Sequence, residues 1–161
     1  MGFKTFQLRH IIFIAVLLVF AGCQYDPHGH LLTTIEPDSE DIVGTYVLDR
    51  CDLPNGVAIK KIGIKVELRA DGTFTATNIP PWTLGQPGAD FFSELVSGEG
   101  KWEKAVMGTL DPGSKKIWGI YLRANNNNFH PAQFTGDKAP YGMIFTLGDP
   151  DAGNAVILKK G

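Results

Sequence analysis

Cysteine is nearly absent, with only Cys23 and Cys51 in 161 residues. A disulfide scaffold is therefore excluded. There is no run of lysine and arginine, and 15 basic residues stand against 17 acidic ones. Nucleic acid is not an expected partner, nor are anionic headgroups drawn in by charge. No apolar stretch reaches the ~20 residues that a membrane-spanning helix needs. A sustained helical period is missing as well. Catalytic signatures are equally thin. No Gly-x-Ser-x-Gly elbow exists, and Ser93, Ser97 and Ser114 lie in no nucleophile context. Glycoside hydrolysis needs two positioned carboxylates, and no spacing selects a pair. His130 is the one histidine beyond residue 30.

What is present begins at the N-terminus. Lys4, Arg9 and His10 form a short basic region. Ile11 to Ala21 is an unbroken apolar run of eleven residues, the length of a signal-peptide core. Phe20-Ala21-Gly22-Cys23 closes it with two small residues before a cysteine. This segment resembles a bacterial lipobox, with Phe20 where leucine is commonest. The resemblance implies cleavage between Gly22 and Cys23 and a lipid-modified Cys23. It also implies a signal helix over 1–22 that is removed. Gln24, in place of an aspartate, implies an outer-membrane address under the sorting rule of enteric bacteria. Lys4 and Arg9 leave with the signal, so 13 basic residues would face 17 acidic ones in the mature chain, a net charge of −4. If Cys23 carries lipid, Cys51 has no internal partner and is expected to be a buried, inert thiol.

Residues 24–41 hold two prolines, several acids and no periodicity, so 23–41 reads as a lipid-anchored flexible tether. The folded domain is expected over 42–161. There the period is two. Ile42 to Leu48 is the first expected strand. Ile62, Ile64, Val66 and Leu68 then alternate with polar residues. Asp71-Gly72 signals a hairpin turn, and Thr73 to Ile79 follows. Pro80-Pro81, Gly85, Pro87 and Gly88 break the rhythm before a short helix within 90–96. Strands resume over 97–106, 116–124, 141–147 and 155–160, with a weak one at 129–134. Seven or eight short strands with one apolar face each predict an antiparallel all-β barrel or sandwich.

Three motifs add a family resemblance: Gly44-Thr45-Tyr46, Leu68-Arg69-Ala70-Asp71-Gly72-Thr73-Phe74 and Gly98-Glu99-Gly100-Lys101-Trp102. With the closing Gly148-Asp149-Pro150-Asp151, they resemble the small lipocalin-like domains of bacterial lipoproteins. Tyr46 stands where a lipocalin carries tryptophan. The resemblance covers 42–160 and implies an up-and-down β-barrel.

Site candidates are few. His28-Gly29-His30 has the spacing of a two-histidine clip, with Asp26 as the only nearby third ligand, and reads as linker. Asp149-Pro150-Asp151-Ala152-Gly153-Asn154 starts like an EF-hand but places Gly153 and Lys160 wrongly for one, so a hairpin turn is expected. No metal and no cofactor is expected. The 80–95 excursion carries Trp82, Phe91 and Phe92, an aromatic group suited either to binding or to plugging a barrel end. The expected protein is thus a non-enzymatic binding or interaction module, held at the outer membrane and facing the periplasm. Its partners would be membrane lipid through Cys23 and an envelope protein. The alternatives are a lipocalin-like carrier of a small hydrophobic ligand and, further off, a periplasmic hydrolase using His130 or an acidic pair.

Overall fold

The structure is a computed structural model that describes residues 26–54, 63–81, 87–88, 90–110, 115–124 and 129–161. The expected signal helix, Gly22, Cys23 and Trp82 lie outside them.

Eight antiparallel strands follow one another round a closed barrel. They are β1 (Gly44–Asp52), β2 (Lys65–Leu68), β3 (Thr73–Ile79), β4 (Val96–Leu110), β5 (Lys115–Ala124), β6 (Ala132–Thr135), β7 (Gly142–Thr146) and β8 (Ala155–Lys160). Pairs from Tyr46↔Lys160 to Asp52↔Ala155 join β8 to β1 and close the ring. The all-β, lipocalin-like up-and-down barrel is therefore the observed fold. The Asp71-Gly72 turn forms as its chemistry requires. Gly72 takes a positive φ of 81°, and the Asp71 carboxylate accepts from the Thr73 N–H (2.9 Å) and hydroxyl (2.6 Å).

Alternation along each strand builds the interior. Tyr46, Val66, Phe74, Ile120, Phe134, Met143 and Phe145 are all 0 % exposed and belong to one core with Leu68, Leu122, Val156 and Leu158. A side chain with no exposed surface borders no space that water can enter, so these residues pack the centre of the barrel. The Tyr46 hydroxyl donates to the Ile42 carbonyl at 2.6 Å, which satisfies the one polar atom that this side chain buries.

A second core lies outside the barrel wall. Ile144 alternates with the inward Met143 and Phe145, and Ile157 with Val156 and Leu158, so both point outward. They cluster with Ile117, Ala155 and Leu32, and Leu31, Met107 and Leu110 pack against them.

Leu31 and Leu32 expose the main correction to the sequence reading. From Asp26 onward, the segment expected as a flexible tether is an ordered belt. Strands β5 and β6 pair only at Gly119↔Gln133 and Ile120↔Ala132. Below that point the belt enters between them. The Thr33 N–H donates to Phe134 O at 2.9 Å, Trp118 N–H donates to Thr33 O at 3.0 Å, and Gly136 N–H donates to Leu31 O at 2.8 Å. Thr33 is fully buried, and its hydroxyl donates to Gly136 O at 2.7 Å. A helical turn, Ser39–Ile42, then leads into β1. Lys104 holds this stretch through Pro37 O (2.8 Å), Glu36 (2.9 Å) and the Trp118 ring (5.5 Å). Proline and polar residues hid the belt from the periodicity argument, because an extended segment that pairs with the edges of two strands needs only one or two apolar contacts of its own.

Leu32→Ala is expected to destabilise the protein by about 2–4 kcal/mol in urea unfolding, the cost of truncating a buried core leucine. A change within ~0.5 kcal/mol, as for a surface residue, contradicts the belt.

Candidate functional site

An open groove of about 540 Å³ lies on the wall made by β3, β4 and β5. Register builds it. Thr73 pairs with Lys101, and Lys101 pairs with Arg123, so three side chains stand in a row across three strands. Arg69, from the β2–β3 turn, and Glu99 flank the row, while Gly100 and Ala124 form its floor over the buried Phe74. Gly100 makes the floor deep. A Cβ there would sit 2.0 Å from the Arg123 carbonyl oxygen, so only glycine lets β4 approach β5 this closely.

The lining carries three cations and one carboxylate. Two of the cations have neighbours of opposite charge: Arg69 lies 3.3 Å from Glu67, and Arg123 lies 3.3 Å from Glu103 with its guanidinium over the Tyr121 ring. Arg69 also reaches the Thr73 and Thr75 hydroxyls at 3.4 Å. Its backbone carbonyl takes the Trp102 indole N–H at 2.9 Å, which fixes the turn to β4. Hydrogen bonds from the Thr73 hydroxyl and then the Thr73 N–H hold the Asp71 carboxyl below its ordinary value. Exposed ion pairs of this kind contribute only ~0–1 kcal/mol each. A partner's charges can replace them at little cost, and that makes the groove a surface fit for a polar, mixed-charge partner.

The residues singled out in the sequence fall elsewhere. Phe91 and Phe92 are buried, 0 % and 7 % exposed, in a one-turn 3-10 helix (Phe91–Ser93). Their rings pack edge to face at a centroid distance of 5.0 Å, and both belong to the central core. They are plug and not a displayed binding pair, because a barrel end with an apolar interior must be covered. His28 and His30 part company. His30 is exposed, whereas His28 is buried, donates from Nε2 to Gly153 O at 3.1 Å and lies 3.7 Å from Asp52. No cluster of three or more metal-ligating groups occurs among the described residues. Residues 149–154 form the expected turn, with the Asp149 carboxylate accepting from Asp151 N–H at 3.1 Å and Gly153 at φ 67°. Cys51 is half-buried on β1, and burial, then the Asp52 charge, pushes its thiol up, so it stays protonated.

His130 is half-buried beside Phe129, and its Nδ1 donates to the Pro131 carbonyl at 3.0 Å. Burial holds its imidazole below the ordinary value near 6.5, and that carbonyl offsets part of the effect.

Sequence reasoning missed the groove and the belt. One of the signals for the belt is Lys104, which shares a strand face with Trp102 and pairs with the core residue Ile120. A lysine on a core-facing position implies a nearby acceptor, and Glu36 and Pro37 supply it.

The His130 shift predicts a pH effect on stability. Because its folded value is lowered, the unfolded chain takes up a proton that the folded one refuses. The stabilising contribution is present above the unfolded value of about 6.5 and is lost as the pH falls below it. Between about pH 7.5 and 5.5, wild-type urea stability should fall more steeply than that of His130→Gln, whereas identical slopes contradict the assignment. In comparison with known proteins, the chain matches no family model, no curated protein and no solved structure.

Proposed function

We propose that this chain is a bacterial outer-membrane lipoprotein, anchored through acylated Cys23, whose barrel is a non-enzymatic binding module working through its outer surface against an envelope protein. The anchor rests on the basic, apolar and Ala21-Gly22-Cys23 segments of the sequence. One acyl chain binds a bilayer only reversibly, and each buried methylene adds about 0.8 kcal/mol, so two or three chains would make attachment lasting.

The observation that carries the surface reading is the packed interior. With Tyr46, Phe74, Phe134, Met143 and Phe145 all unexposed, the described centre offers no room for a guest. A pocket for a small hydrophobic ligand needs roughly 300 Å³ or more of apolar space. The open volumes of that size among the described residues include the groove of about 540 Å³, lined by Arg69, Glu99, Lys101 and Arg123 over small residues, and one of about 420 Å³ beside Val47, Leu48, Ile64, Lys65 and Thr77. Both open to solvent, and neither is an enclosed apolar cavity. A surface module fits that distribution better than a carrier does.

Two measurements test the reading. The wild type should incorporate labelled palmitate and sediment with membranes, and Cys23→Ser should lose both properties. A Cys23→Ser protein that stays membrane-bound, or a wild type without label, contradicts the anchor. Titration with a fluorescent fatty-acid analogue should show no saturable binding to the barrel. Stoichiometric binding that Phe134→Trp abolishes would establish the carrier reading instead.

A further inference from the structure

We infer that the anchor holds the barrel on the bilayer in one orientation, with the wall around β8 against the lipid headgroups and the groove on β3–β5 turned away from them. The inference rests on the anchoring reading above, and it names the surface that the membrane occupies and the one left for a partner.

The argument starts where the ordered chain begins. Asp26 is fixed by its own neighbours, its carboxylate accepting from His28 N–H at 2.8 Å and its carbonyl from Gly29 N–H at 3.1 Å. The next residues are docked on the barrel. Pro27 packs against Gly153, with 3.1 Å between its Cγ and the place a Gly153 Cβ would take. His28 binds the Gly153 carbonyl and neighbours Asp52. Gly153 lies in the β7–β8 connection and Asp52 at the end of β1. The belt therefore leaves the barrel beside β8, the strand between β7 and β1.

Chain length turns this contact into an orientation. Three peptide steps separate Cys23 from Asp26, and even fully extended they span at most about 11 Å. The far end of β4 comes near the belt, with Leu110 standing 3.8 Å from the place a Gly29 Cβ would take. The groove residues Glu99, Gly100 and Lys101 lie nine to eleven residues back along that strand, about 30 Å or more at ~3.3 Å per residue, on the part of β4 that faces across the ring from β8. With strands about 4.8 Å apart and tilted ~40°, half the perimeter is roughly 25 Å even at the level of the backbone. The leash is less than half that, so a lipid on Cys23 cannot pass round to the groove side. The belt cannot lengthen it by peeling away cheaply, because Leu32 and Thr33 are buried and Thr33 bonds to both β5 and β6. The groove is thus presented to the aqueous compartment, where a soluble or membrane-anchored partner protein can reach it.

The test uses the acylated full-length protein in phosphatidylethanolamine–phosphatidylglycerol vesicles that carry an acceptor dye on the lipid. In a Cys51→Ser background, Asp151→Cys marks the β7–β8 connection and Lys101→Cys marks the groove; both positions are exposed. The lipid on Cys23 occupies that sulfur, so only the introduced thiol takes the donor dye. Energy transfer to the bilayer should be roughly twofold or more higher from position 151 than from 101, given the width of an eight-stranded barrel. A linker of about 20 Gly/Ser residues inserted before Asp26 spans ~25 Å and should bring the two values together. Equal or reversed transfer in vesicle-bound protein without the insertion overturns the orientation and leaves the anchor standing. A wild type that takes up no palmitate and does not bind vesicles overturns the anchoring reading itself. Asp149→Cys and Glu99→Cys form a second pair at exposed sites, so the result does not hang on the folding of one variant.

Discussion

A sheet that curls into a closed ring leaves no strand edge for water, so every N–H and C=O along each seam needs a partner. In this barrel β6 is four residues long and meets β5 at only two positions. The seam would open there without Leu31–Thr33, whose backbone takes up the bonds that β5 and β6 cannot make to each other. The same residues cover the outward-facing Ile117, Ile144 and Ile157. Closure of the ring, burial of the outer apolar cluster and the fixed path of the N-terminal segment are therefore one arrangement and not three.

Much of the barrel was legible because its strands obey a period of two. Residues 73–79 and 155–160 were read to the residue, and Tyr141, Met143, Phe145 and Leu147 line the core as their alternation implies. Strand ends were less clear. β4 runs to Leu110, beyond the expected Val106, because a bulge between Val106 and Gly108 breaks the alternation while pairing with β5 continues. The belt was hidden in a stretch of proline and polar residues. Its trace lay instead in its partners: Met143-Ile144-Phe145 and Val156-Ile157-Leu158 are apolar on both faces, and an antiparallel strand of that kind must be covered outside as well as in. The groove left no trace in the sequence, since Arg69, Thr73, Lys101 and Arg123 meet only through the register of three strands.

The consequences for function follow from which surfaces are used up. The interior is occupied by aromatic and aliphatic side chains, including Phe91 and Phe92 from the excursion that had suggested a binding loop. The wall beside β8 is covered by the belt. The β3–β5 wall keeps its charged side chains in solvent, held by pairs weak enough to exchange. On the proposed reading, a module that binds through that wall and is leashed on the far side needs no hollow centre.

Hydrogen exchange at single amides tests the belt most directly. The Thr33 and Trp118 amides, which tie the belt to β6 and β5, should exchange as slowly as those of the β7–β8 ladder, through global unfolding. Exchange of Thr33 at the rate of an open, solvent-exposed segment would show that the barrel closes without the belt, and would remove the basis for a fixed orientation.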